Sequence, residues 1–209
     1  MKQTLPLVIT INREMGSGGA YIGQQLSQKL NLFYADREII TKAAKQLSLA
    51  AEKLEQYEER VSAFWASFAK MYAVGIPGYI ISPETRIPTD AEIFEAETKV
   101  IQHIAEKGAT VIIGRCGSHI LREKHNCVSL YLHGDISIRV ERIKQLYHLT
   151  EEEARKRVEQ NDKDRALYYQ TFTSKSWADA RQYEMCLDTS QIGLDKSVDI
   201  IIKYLASIG

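Results

Sequence analysis

Apolar residues at consecutive positions dominate the start of the chain. Leu5–Ile11 reads LPLVITI, too uninterrupted for a strand with one wet face. The run predicts a strand buried on both sides, as inside a parallel sheet. After the polar Asn12-Arg13-Glu14 come Gly16–Gly19 (GSGG) and then AYIGQQLSQKL, where Ile22, Leu26 and Leu30 recur at helical spacing. The chain therefore opens strand, glycine loop, helix. The alternation resumes at Ala109–Ile113, a strand that runs into Gly114-Arg115 and a helical stretch to about Lys124. Cys127–Leu132 is a further buried strand, and Ile136–Leu146 has helical periodicity. Thr150 with Glu153 forms a capping box ahead of EEEARKRVEQND. A short apolar run, Met185–Leu187, precedes Asp188-Thr189-Ser190, which reads as a strand-end turn, and a helix over about Leu194–Ile208 closes the chain. Strands alternating with helices specify α/β, a parallel sheet covered on both faces.

The alternation breaks between Asp36 and Lys107. Helical periodicity fills Glu38–Tyr72, a loop is expected over Gly75–Pro88, which holds three of the four prolines, and a helix restarts near Asp90. Phe64, Trp65, Phe68 and Tyr72 share helical spacing and read as packing residues, with a base-stacking platform as the alternative. A helical insertion in a βα-alternating chain is where such folds place a moving subdomain over a substrate.

Composition narrows the function classes. At 209 residues the chain suits one domain, and 44% hydrophobic against 26% charged residues argues against disorder. Twenty-seven Lys+Arg balance 27 Asp+Glu, so the basic footprint of a nucleic-acid-binding protein is absent. No apolar run approaches the roughly 20 residues of a membrane span, and residues 1–11 read as a first strand rather than a signal peptide. Cys116, Cys127 and Cys186 are scattered and odd in number, which fits buried free thiols in a reducing cytoplasm. The five histidines lack any metal-ligand spacing, so no protein-held metal is expected.

The glycine loop is the main chemical signal. Glycines permit positive φ, so successive amides point into one concavity, and the following helix start adds partial positive charge. Both suit phosphate. The usual phosphate loop is GxxxxGK[ST]. With Gly18 as its second glycine, the Lys position is Gly19, the Ser/Thr position is Ala20, and Arg13 stands at the first glycine. Replacement cations are expected from Arg13 or from arginines later in the chain, because phosphoryl transfer depends on electrostatic stabilisation.

ITINREMGSGG, YADREII, VIIGRC, NDKDRALYY and YEMCLDTS, in this order, resemble the cytidylate-kinase-like branch of the P-loop nucleoside monophosphate kinases. The resemblance spans Leu5 to about Ile202 and is weakest over Leu47–Glu97. It implies a five-stranded parallel core, a helical monophosphate-binding insertion at about 38–107 and a lid at about 150–182, all in one kinase-like domain. It also implies ATP with Mg²⁺ and a nucleoside monophosphate acceptor. Carried over by position, Arg13, Gly16, Ser17, Gly18, Gly19 and Ala20 face the ATP phosphates. Asp36, Lys42, Arg115, Asp162 and Arg165 face the acceptor. Arg139, Arg142, Arg165 and Asp162 act on the transferring group, with Arg139 and Arg142 sharing one helical face. Two family carboxylates are missing, replaced by Ile113 and Cys116. A thiol accepts hydrogen bonds weakly, so the CMP or dCMP preference of the family does not carry over with the fold.

For several of these residues a structural role competes. Asp36 suits a helix cap, Asp162, Asp164 and Arg165 a solvated helix end, and Arg115, Arg139 and Arg142 surface ion pairs. Two other functions stay open: a nucleotide-binding sensor without catalysis, and a kinase of a non-nucleotide small molecule. The sequence leaves the oligomeric state open.

Overall fold

The computed structural model describes residues 7–37, 39–44 and 89–208. The chain divides into two compact units, Met1–Arg37 with Ile101–Gly209, and Glu38–Val100. The larger unit carries a five-stranded, all-parallel sheet: β1 (Val8–Arg13), β2 (Phe33–Ala35), β3 (Thr110–Ile113), β4 (Cys127–His133) and β5 (Met185–Asp188), in the order β2-β3-β1-β4-β5. Strand β1 lies at the centre, and its apolar residues Val8, Ile9 and Ile11 are fully buried. That is what a run without polar alternation dictates.

Helix α1 (Gly19–Leu30) turns Ile22 and Leu26 into a core shared with Val111, Leu130, Leu132, Val198 and Ile201. Helix α2 (Asp90–Lys107) begins at Thr89, whose hydroxyl and amide both meet the Glu92 carboxylate. Further along are the single turn α3 (Gly117–Ile120), α4 (Ile136–Tyr147), α5 (Glu151–Thr173) and a 3-10 turn (Ala180–Gln182). The short α6 (Thr189–Ile192) and the closing α7 (Leu194–Ile208) complete the order. The Thr150–Glu153 capping box is present at the start of α5. Asp188 caps α6, where the sequence reads as a strand-end turn.

Three local features differ from the sequence expectation. Strand β1 continues two residues past its apolar run, because Asn12 and Arg13 keep pairing with Tyr131 and Leu132 of β4. Arg13 is thereby fixed at the tip of the sheet. The helix expected after Arg115 is only one turn, since Gly114, Arg115 and Cys116 all have positive φ and Leu121 ends the turn. Of the three free thiols, Cys116 is buried, Cys127 is half-buried and Cys186 is exposed.

In the smaller unit, residues 39–44 are helical with Ile40, Ala43 and Ala44 buried. There the Thr41 hydroxyl donates to the fully buried Glu97 carboxylate over 3.0 Å. The rest of the expected insertion lies outside the described residues, including the Gly75–Pro88 loop and the Phe64–Tyr72 aromatics.

Candidate active site

The glycine loop joins β1 to α1 with Gly16 at φ 83° and Gly18 at φ 82°. Its carbonyls are held from behind. Those of Arg13, Glu14, Met15, Gly16 and Ser17 accept from Arg165, Ser17 Oγ, Arg139, Arg142 and Thr189 Oγ1 respectively. With five carbonyls turned to protein donors, the loop's other face belongs to amides. Gly18 caps α1 and no side chain caps that end, so the amides of Gly19 and Ala20 have no intrahelical acceptor. Such a helix start is suited to an anion.

One side of the loop is an ion-pair scaffold. Arg139, on α4, is only 6% exposed and donates to the carbonyls of Gly134 and Met15 over 2.9 and 3.0 Å. Its guanidinium also meets Asp162 Oδ2 at 2.6 Å and Glu14 Oε2 at 3.2 Å. Asp162 Oδ1 accepts from the Met15 amide at 2.7 Å, and Glu14 Oε2 from the Gly134 amide at 3.1 Å. Every charge here has an opposite charge and a backbone partner. The loop is also close-packed, because a Cβ on Gly16 would come within 2.6 Å of the Arg139 carbonyl oxygen. Apolar contacts among Met15, Val140, Ile143, Ala154 and Val158 hold the α4–α5 pair to the loop.

The other side opens into a cavity of about 240 Å³. Arg13, Arg37, Arg115 and Arg165 line it, against the single carboxylate of Asp164. Arg115 stands on a left-handed backbone, φ 52°, followed by Cys116 at φ 57°. Consecutive non-glycine residues in that region are uncommon, and such conformations concentrate at functional sites. The Arg115 guanidinium lies over the Tyr168 ring, 4.9 Å from its centroid, a cation–π contact that fixes its direction. Trp177, Tyr169 and Asn12 complete the far wall. Asn12 donates to the Tyr183 hydroxyl at 2.7 Å, and Tyr183 in turn donates to the Trp177 carbonyl. Burial pushes the Arg165 guanidinium below its ordinary value, against the pull of Asp162. Burial likewise takes Arg13 down to about 9, with the Arg165 cation acting in the same direction.

A family model described as cytidylate kinase-like matches residues 8–191, most of the chain. The chain belongs to the cytidylate kinase-like family. No curated protein matches it. Among solved structures, an uncharacterized protein from Eubacterium ventriosum ATCC 27560 is similar, with 24% identity and a TM-score of 0.72 over 96% of this chain and 99% of that one. A gluconokinase from Sinorhizobium meliloti 1021 has 14% identity and a TM-score of 0.52, covering 99% of this chain and 95% of its own. A shikimate kinase from Bacteroides thetaiotaomicron has 14% identity and a TM-score of 0.50, covering 96% and 98%. The five-stranded α/β fold is that of the P-loop kinases.

In this cytidylate kinase-like chain the arginines read from the sequence separate into two groups. Arg115 and Arg165 reach the cavity, Arg139 lies within the scaffold, and Arg142 holds the Gly16 carbonyl. Asp162 is likewise occupied by the loop, while Asp36 follows β2 and is half-buried. Lys42 is exposed on the helical segment of the smaller unit. Sequence reasoning missed Arg37, Asn161 and Trp177. Asn161, Arg165 and Tyr168/Tyr169 recur at helical spacing, a polar stripe that would have shown one face of α5. Trp177 carries no such local signal. Among the described residues, no group of three or more His, Cys, Asp or Glu is placed to hold a metal. The Ser17 hydroxyl donates to the Glu14 carbonyl, and position 20, where the usual phosphate loop carries Ser or Thr, is alanine.

Proposed function

We propose that this chain is a kinase that transfers the γ-phosphoryl group of ATP to an anionic small molecule, with a nucleoside monophosphate as the favoured acceptor class. The observation that carries this reading is the cavity beside the glycine loop, where four guanidinium groups face one carboxylate. A cavity with such an excess of positive charge, three of the four arginines half-buried and Arg37 exposed, is suited to a ligand that carries several negative charges.

In this mechanism the amides at Gly18–Ala20 receive donor phosphates, and Arg115 and Arg37 receive the acceptor's anionic group. Arg165 stabilises the charge that develops on the transferring group. An acceptor phosphate oxygen forms the new P–O bond as the bond to the β-phosphate oxygen breaks and ADP departs. An ionised phosphate nucleophile requires no proton removal, which accords with a cavity poor in bases. Mg²⁺ enters with the nucleotide and keeps most of its waters. Where the family reads its base with a carboxylate this chain has Cys116, so preference for cytosine is expected to be weak.

The test is ADP release from Mg·ATP with each common nucleoside monophosphate, and with sugar and carboxylate metabolites as comparison acceptors. Turnover with one or more monophosphates is expected. Turnover only with an uncharged or non-nucleotide acceptor would replace the acceptor class, and nucleotide binding without turnover on any acceptor would replace the enzyme by a sensor.

A further inference from the structure

Arg13 is the least explained charge in the molecule. It ends β1, at the position where a phosphate loop has its first glycine. Its stem lies on Gly19: a Cβ built there would come within 2.6 Å of Arg13 Cγ, 3.0 Å of Cβ and 3.2 Å of Cδ. Its tip lies on Gly114, where a Cβ would overlap Nη1. The side chain thus runs over two glycines, and at position 19 it is the stem, not the movable tip, that takes the space a side chain would need. Among the described residues, no ion pair or hydrogen bond holds its guanidinium. Arg139, by contrast, has two carboxylates. Arg165 binds the Arg13 carbonyl at 2.7 Å and fixes the backbone from which the side chain departs.

We propose that Arg13 supplies, from the first position of the loop, the cation that phosphate loops ordinarily supply from a lysine after the last glycine, and that residue 19 is glycine because the two side chains would need the same space. The arginine and the missing lysine are two halves of one exchange. This inference deepens the kinase reading and rests on it, since it assigns Arg13 to the donor phosphates.

Reciprocity makes the exchange testable. Binding of Mg·ATP and thermal melting are measured for the unaltered protein, Arg13→Met, Gly19→Lys and the double variant Arg13→Gly/Gly19→Lys. Arg13→Met keeps the apolar stem over Gly19 and removes only the charge, so it guards against a simple failure to fold. It is expected to weaken ATP binding by tenfold or more. Gly19→Lys alone is expected to melt lower and bind ATP more weakly, because Arg13 already occupies its space. The double variant is expected to recover both the melting temperature and an ATP affinity within about threefold of the unaltered protein. A purely structural arginine would not give recovery of affinity by a lysine elsewhere in the loop.

If the unaltered protein binds no ATP, the kinase reading fails and this inference with it. If it binds ATP and Arg13→Met binds as tightly, only the assignment of Arg13 is overturned. If Gly19→Lys is as stable and as tight as the unaltered protein, or the double variant does not fold or binds no better than Arg13→Met, the shared space is overturned.

Discussion

The two sides of the glycine loop hold arginines of the same chemistry in opposite electrostatic conditions. On the scaffold side Arg139 is enclosed by Asp162, Glu14 and two carbonyls. On the cavity side Arg13, Arg37, Arg115 and Arg165 face one carboxylate. A paired buried cation is satisfied and gains nothing from a ligand. Where cations outnumber carboxylates, an arriving anion supplies countercharge that the protein does not. The division between structure and function therefore runs through the charge balance rather than through residue type. It also explains why the loop needs both sides. Arg139 and Asp162 tie down carbonyl and amide groups at Met15, which leaves the later amides oriented in advance of any phosphate.

The largest expected effect comes from breaking the scaffold side. Arg139→Met removes one partner of a buried pair and strands Asp162 and Glu14 near the loop. A loss of about 3–5 kcal/mol of folding stability is expected, read from urea denaturation. An effect below about 1 kcal/mol would mean that the ion pairs are not part of what holds the loop, and the comparison would collapse on its better-defined side.

Arg165 tests the cavity side next. Arg165→Met should lower the rate of phosphoryl transfer by about 10²-fold, as expected when a group aimed at developing charge is removed. The loss of one hydrogen bond to the Arg13 carbonyl should cost only about 1 kcal/mol of stability. A variant that turns over normally but unfolds easily would move Arg165 to the scaffold.

Much of this was legible in the sequence, for identifiable reasons. The parallel sheet follows from continuous apolar runs such as Val8–Ile11, and α7 was legible at about its observed span because its apolar periodicity is strong. The Thr150–Glu153 cap was legible because its partners are three residues apart. The loop was visible as glycines between a strand and a helix. The roles of individual arginines were not, because pairing is decided across the fold. Arg139 meets Glu14 and Asp162 from separate segments, and nothing near position 139 in the sequence tells it apart from Arg142. The same holds for Arg13 and Gly19, whose mutual exclusion exists only after β1 extends past its apolar run and the chain turns back into α1. Trp177 enters the cavity from a connecting turn, where periodicity carries no information, and Arg37 stands one residue after Asp36 at the start of a helical stretch.

The smallest expected effect has the opposite sign to the first. Without ligand, Arg13→Met should raise stability by about 1 kcal/mol, because an apolar side chain replaces a desolvated and unpaired cation. The guanidinium is pushed down to about 9 by burial, then by Arg165 and Arg37, with Tyr34 and Asp36 pulling the other way. Its folded value therefore lies below its unfolded value. Above about pH 9 the unfolded chain holds more protons than the folded one, so the stability of the unaltered protein rises with pH in that range. The advantage of Arg13→Met should be complete below pH 9 and narrow above it. Denaturation curves for the two proteins at pH 7 and pH 10 measure both quantities. Equal stability at pH 7 would mean that Arg13 is already well solvated or paired, and the contrast with Arg139 would shrink to one of position alone.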